Sequence, residues 1–144
     1  MTPIEPPATI GMLGGGQLGK FALIAATQMG YRTVVLDPDP GAPAGVVANE
    51  HLVAPYDDRD ALGRMARTCA VVTTEFENPP ADALSWLAER TRVAPSPAAV
   101  SVAQDRIAEK RFLVDNGFPV GPHQVLTDDA ATMHIDRPSL FTVR

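Results

Sequence analysis

The run Gly14-Gly15-Gly16-Gln17-Leu18-Gly19 constrains this chain more than any other feature, because of what flanks it. Ahead of it, Ala8 to Leu13 is short, apolar and bounded by Pro7, which predicts a buried strand entering a tight turn. Behind it, Leu18, Phe21, Ala22, Ala25 and Met29 recur at helical spacing, and Gly30 marks the stop of a helix over Gln17 to Met29. Strand, glycine turn and helix, in that order, fit G-x-G-x-x-G in its proper setting. Glycine permits the turn and lets an oxyanion reach backbone N–H groups, while the helix start offers unpaired donors and a partial positive charge. The loop reads as a phosphate cradle; the alternative is a purely structural turn, since a first crossover also favours glycine for packing.

The same alternation continues downstream. Thr33 to Leu36 is β-branched and closes at Asp37-Pro38-Asp39-Pro40, where two prolines forbid regular structure. His51 to Ala54 reads as a third short strand, Arg59 to Thr68 as a helix capped by Asp57 or Asp58, and Ala70 to Thr74 as a fourth strand. Pro79-Pro80 opens a helix over Ala81 to Glu89, whose Leu84, Trp86 and Leu87 read as core rather than as a ligand platform. This order predicts the α/β class, a doubly wound parallel sheet with right-handed crossovers. Past Val93 the composition changes. Pro95-Ser96-Pro97 starts a helical stretch, Asp105 to Asn116 forms another helix ended by Gly117 and Pro119, and Val120 to Leu126 begins a strand, so a domain boundary is expected near residue 95.

Composition narrows the class of partner. A chain of 144 residues with 45% hydrophobic content can bury one core. Its net charge of -5 has no long run of either sign behind it, which argues against nucleic acid or an anionic membrane and for small molecules. Cys69 is the single cysteine, so an intrachain disulfide is impossible; it reads as a buried structural thiol in a reducing compartment. The first residues carry no basic charge or apolar run, and no segment reaches the roughly 18 apolar residues of a membrane helix. A cytoplasmic protein is expected.

Three further segments bear chemistry. Asp37, ending the second strand, sits where a dinucleotide fold places its ribose-binding acid, so an NAD(P)-binding domain is one reading of the loop. Thr74-Glu75-Phe76-Glu77-Asn78-Pro79 puts two carboxylates at the carboxyl edge of the sheet, where Glu75 and Glu77 share a face if extension continues; the alternative is a solvated loop. Asp105-Arg106-Ile107-Ala108-Glu109-Lys110 sets Arg106 and Lys110 on one helical face, fit for polyphosphate or simply for solvent. His51, His123 and His134 are scattered, with no spacing that suits a protein-held metal.

Taken together, Gly14 to Gly19, Thr74 to Asn78, Pro95-Ser96-Pro97, Gln104 to Lys110 and Gly117-Phe118-Pro119-Val120 closely resemble the N5-carboxyaminoimidazole ribonucleotide synthase family of ATP-grasp enzymes. The resemblance runs from about Thr9 to Leu126. It implies a Rossmann-like pre-ATP-grasp domain over 1–95, linker helices and the truncated start of an ATP-grasp domain over 96–127, and a divergent tail over 128–144. It further implies an ATP-dependent ligase of purine biosynthesis that uses ATP, Mg2+ and bicarbonate to carboxylate the amine of aminoimidazole ribonucleotide. Gly16, Gln17 and Leu18 would cradle the 5′-phosphate, Glu75 would touch the ribose or ring, and Arg106 would reach ATP; no catalytic or metal-binding residue is implied in this chain. Full-length relatives are expected to be homodimers. A lysine-bearing strand, a second glycine-rich loop and magnesium-binding acids should follow Leu126 and do not, so catalysis by this chain alone is not expected. A fragment, a frameshift and a truncated gene product fit equally, as does a non-catalytic remnant. A formate-dependent glycinamide ribonucleotide transformylase fits Thr74 to Asn78 less well.

Overall fold

The computed structural model describes residues 2–76, 78–125 and 141–143. The chain divides into two units, Met1–Val100 and Ser101–Arg144. The first is built on a five-stranded parallel sheet. Its strands are β1 (Thr9–Leu13), β2 (Arg32–Leu36), β3 (Glu50–Leu52), β4 (Val71–Thr74) and β5 (Arg92–Val93), in spatial order β3-β2-β1-β4-β5. The helices are α1 (Gln17–Gln28), α2 (Arg59–Thr68) and α3 (Ala81–Ala88), and the division falls within α4 (Pro97–Gln104). The expected α/β class and doubly wound parallel sheet are what forms, with β5 as an added edge strand too short to show any periodicity.

Strand alternation divides the core in two. Leu13, Val34, Leu36 and Val72 point to one face and pack with Leu62 and Met65 of α2, Leu84 and Leu87 of α3, and Val100 of α4. Met12 and Val35 point to the other face, against Leu23 of α1 and Ala44. Register locks the three central strands, with Gly11 opposite both Val34 and Val72 and Leu13 opposite both Leu36 and Thr74. Cys69 is buried in the first cluster, as expected. Burial pushes its thiol pKa up, so it is a poor nucleophile.

The helix termini follow from local chemistry. Asp58 caps α2 through its carboxylate, which accepts from the N–H groups of Asp60 at 3.1 Å and Ala61 at 2.8 Å. Gly30 takes the left-handed conformation, φ 89°, just past α1. One reading needs correction. The stripe whose spacing announces α1 is not its buried face: Gly19, Leu23 and Ala26 are buried, whereas Leu18, Phe21 and Met29 are 71%, 64% and 66% exposed. At Gly19 the inward face is tight, since a Cβ there would lie 3.0 Å from the Gly14 carbonyl oxygen. On α3, Leu84 and Leu87 enter the core; Trp86 packs at its rim with the guanidinium groups of Arg59 and Arg90 at 5.4 Å and 3.9 Å from the ring.

The second unit contains α5 (Arg106–Asp115) and a parallel pair formed by β6 (His123–Val125) and β7 (Phe141–Val143). Asp105 caps α5 by accepting from Ile107 and Ala108 N–H at 2.8 Å and 3.1 Å. Most of the tail singled out in the sequence, residues 126–140 and 144, lies outside the described residues, as does Glu77.

Candidate functional site at the carboxyl edge of the sheet

Because β1 lies between β2 and β4, the chain reverses its direction of travel across the sheet at β1 and β4, which makes their carboxyl ends a topological switch point. Ligands of open α/β sheets bind at such a switch point. Three segments meet there: the glycine loop after β1, Asp37 after β2 and Glu75 after β4. Two backbone bonds continue the ladder past the strands, Gly14 N–H to Leu36 O and Glu75 N–H to Leu13 O, both 3.1 Å.

Two carboxylates reach into the glycine loop. Glu75 accepts from Gly16 N–H through Oε1 and from Gly19 N–H through Oε2, each at 3.0 Å. Helix α1 has no capping side chain of its own, its N-cap being Gly16, so Glu75 serves as a cap supplied by a neighbouring strand. Asp37 accepts from Gly15 N–H at 2.7 Å and from the Tyr56 hydroxyl at 2.7 Å through Oδ2, and from Asp39 N–H at 2.9 Å through Oδ1. The Gln17 and Leu18 N–H groups, by contrast, take no acceptor among the described residues.

Gly14 and Gly16 make room for Glu75. Gly14 holds φ 96°, and a Cβ there would lie 2.6 Å from Glu75 Cγ and 2.7 Å from Phe76 Cδ1. A Cβ on Gly16 would collide with Glu75 Oε1, and one on Gly15 would sit 2.7 Å from Ala42 Cβ and 2.9 Å from Asp37 Cβ. Room for the protein's own acids, together with a helix start, is thus what the motif encodes here.

Electrostatics reinforce the arrangement. Burial by itself would raise the Asp37 pKa, but the hydrogen bonds from Asp39, Tyr56 and Gly15 and the nearby His51 outweigh it and hold the carboxyl below its ordinary value. Burial, the hydrogen bond to Asp37 and the charges of Asp37 and Glu75 push the Tyr56 phenol upward. The Tyr56 ring also stands 5.1 Å from that of Phe76, tilted by 41°.

Sequence reasoning placed Gly16, Gln17, Leu18 and Glu75 at one edge, and the structure brings all four together. Gln17 and Leu18 are exposed, Gly16 and Glu75 half-buried. Asp37 belongs to the same cluster but faces inward; both of its oxygens are engaged, which leaves it badly placed to hold a ribose as a dinucleotide site requires. Tyr56 was missed, since a tyrosine in a loop carries no motif. Arg106 lies in the second unit, exposed and paired with Glu109 on α5. Among the described residues no group of His, Cys, Asp and Glu is arranged to hold a metal ion, and no helix is long and apolar enough to cross a membrane.

Comparison with known proteins adds the context. The model of the ribonucleotide synthetase preATP-grasp domain matches residues 7–104. An N5-carboxyaminoimidazole ribonucleotide synthase of Brucella melitensis is 45% identical over 128 residues, covering 89% of this chain and 35% of that protein. One of Bacillus subtilis is 38% identical over 123 residues, covering 85% of this chain and 32% of that protein. Among solved structures, the N5-carboxyaminoimidazole synthetase of Staphylococcus aureus complexed with ADP superimposes with TM-score 0.78 at 43% identity, over 83% of this chain and 32% of that one. The Aspergillus clavatus enzyme in complex with ADP and 5-aminoimidazole ribonucleotide gives TM-score 0.68 at 28% identity, over 79% of this chain and 31% of that one. The chain therefore spans about a third of the length of the relatives it matches.

Proposed function

The chain belongs to the ribonucleotide synthetase pre-ATP-grasp domain family, and from that premise we propose that it is the ribonucleotide-holding part of an N5-carboxyaminoimidazole ribonucleotide synthase. The whole enzyme would use ATP and bicarbonate to carboxylate the exocyclic amine of aminoimidazole ribonucleotide. The observation that carries this reading is the switch point at the ends of β1 and β4, where the N–H groups of Gln17 and Leu18, which take no acceptor among the described residues, adjoin the loop donors held by the Glu75 carboxylate. Donors of this kind suit a phosphate, and an anchored carboxylate with lone pairs to spare suits sugar hydroxyls or an amine.

Gly16, Gln17 and Leu18 are the residues proposed around the 5′-phosphate. The Gly16 N–H already serves Glu75, so Gln17 and Leu18 would carry the phosphate in the arrangement seen here. Glu75 is proposed at the ribose or ring, and Arg106 at ATP. Magnesium would offset the charge of the nucleotide phosphates. The matched region is the pre-ATP-grasp domain, so the ATP chemistry is assigned to the remainder of a full-length relative, which is proposed to work as a homodimer.

Calorimetric titration of the 144-residue chain with aminoimidazole ribonucleotide tests this reading, with saturable heat expected. No heat at millimolar ligand would refute it. Bicarbonate-dependent ATP hydrolysis by the chain alone would overturn the assignment of that chemistry elsewhere.

A further inference from the structure

We propose that Tyr56 is a positioning residue for the ribonucleotide site, with two separable arms: its hydroxyl sets the glycine loop through Asp37, and its ring sets Glu75 through Phe76. The inference rests on the ribonucleotide reading and deepens it, by assigning the order of the site to a residue that acts only through others.

Tyr56 stands half-buried in the loop between β3 and α2. Its hydroxyl donates to Asp37 Oδ2 at 2.7 Å, the oxygen that also takes Gly15 N–H. Asp37 Oδ1 accepts from Asp39 N–H at 2.9 Å, so the carboxylate cannot turn without breaking bonds on both oxygens. The Gly15 peptide is held on its other side as well, since its carbonyl oxygen accepts from Ala44 N–H at 2.8 Å. Gly15 and Asp39 belong to the two loops that Asp37 joins. The Tyr56 hydroxyl comes from a third and fixes the direction of the shared oxygen.

The ring acts elsewhere. It stands 5.1 Å from the Phe76 ring, and Phe76 in turn covers Gly14, where a Cβ would lie 2.7 Å from Phe76 Cδ1. The Thr74 hydroxyl donates to Phe76 O at 3.0 Å, which closes the backbone around Glu75. Glu75 thus sits between a strand residue and an aromatic side chain that Tyr56 braces, and from there its two oxygens reach Gly16 and Gly19 N–H. A group held in one geometry before its ligand arrives loses little freedom on binding, so release of either arm weakens affinity without removing a ligand contact. A tyrosine kept only for packing would affect stability and leave the affinity of the folded protein alone.

The experiment compares the 144-residue chain with its Tyr56→Phe, Tyr56→Leu and Phe76→Leu variants, each checked for folding by circular dichroism. Two readouts are taken: amide hydrogen exchange resolved by residue, and calorimetric titration with aminoimidazole ribonucleotide. Tyr56→Phe keeps the ring arm, so Gly15 N–H should exchange faster while Gly16 and Gly19 hold, and affinity should fall about threefold. Phe76→Leu should do the reverse, speeding Gly16 and Gly19 and sparing Gly15. Tyr56→Leu releases both arms, so all three amides should exchange faster and affinity should fall about tenfold, which makes the phenylalanine variant a partial rescue. If Tyr56→Leu does not fold, the other two variants carry the test, one for each arm. Wild-type affinity in the folded variants, or unchanged exchange at these glycines, overturns the proposal. If the wild type itself fails to bind aminoimidazole ribonucleotide, the ribonucleotide reading falls and exchange alone decides: faster exchange arm by arm keeps Tyr56 as the residue that sets the loop, and unchanged exchange removes that role too.

Discussion

The Tyr56 hydroxyl donates to Asp37 Oδ2 across 2.7 Å, and the same oxygen takes the Gly15 N–H, also at 2.7 Å. A loop residue and a strand-end acid thus jointly fix the first turn of the glycine run. Several consequences can be measured.

Asp37→Ala leaves Gly15 N–H and the Tyr56 hydroxyl without their acceptor in a buried place, so it should cost roughly 3 kcal/mol in urea denaturation at neutral pH. The pH dependence has a defined sign. Asp37 is held below its ordinary value of 3.8, so its contribution is present above that value and is lost as pH falls below it. Asp37→Asn should flatten this part of the acid limb. An unchanged acid limb in the variant would contradict the hydrogen-bonded, ionised state of Asp37.

Tyr56→Phe keeps the ring against Phe76 and removes only the donor, at a cost of about 1 kcal/mol. The folded phenol titrates above the ordinary 10.0, so wild-type stability from this group is complete below pH 10 and declines as pH rises further. Removing the hydroxyl removes that decline. Denaturation midpoints of both proteins between pH 8 and about 11 check it; parallel curves throughout would count against it.

How much of this was legible beforehand depends on whether a feature is local. The α2 cap, the Gly30 stop and the strand that enters Gly14 are all encoded within a few residues; the sequence reading matches the last two and narrows the cap to Asp57 or Asp58, of which Asp58 serves. Asp37 shows where local reading ends. Its place after the second strand suggested a ribose, whereas its inward engagement depends on Tyr56, which arrives from beyond β3. Glu75 is a similar case: strand alternation says nothing of the glycine loop, to which the ladder bond from its N–H to Leu13 O carries it, while its expected neighbour Glu77 lies outside the described residues. Residues meeting from three strand ends leave no spacing to detect.

Gly14→Ala and Gly30→Ala form a matched pair. Both glycines have positive φ, 96° and 89°, so alanine is conformationally strained at each by about 1 kcal/mol. At Gly30 the new Cβ meets Pro6 at 3.3 Å, a contact eased by a small shift; at Gly14 it meets Glu75 Cγ at 2.6 Å. Gly14→Ala should therefore cost roughly 2 kcal/mol more than Gly30→Ala, and should also displace Glu75 from its donors. Equal denaturation midpoints would show that the Glu75 clamp contributes little to the fold.

Helix α1 offers the sharpest contrast between an apolar residue's identity and its place. Leu23 is 1% exposed and packs with Met12, Val35 and Ala44, so Leu23→Ala should cost about 3 kcal/mol. Phe21 and Met29 are larger or equally apolar but are more than half exposed, Met29 at the edge of a groove also lined by Ile4, Ile10, Ala25, Tyr31 and Val71. Phe21→Ser and Met29→Ser remove no buried surface from the core, so each should shift stability by less than about 0.5 kcal/mol. Both should lower light scattering at high concentration, since exposed apolar patches promote association. Urea midpoints give the first result and scattering the second. A loss near that of Leu23→Ala would mean that the apolar stripe, and not the face of Gly19, Leu23 and Ala26, holds α1 to the sheet.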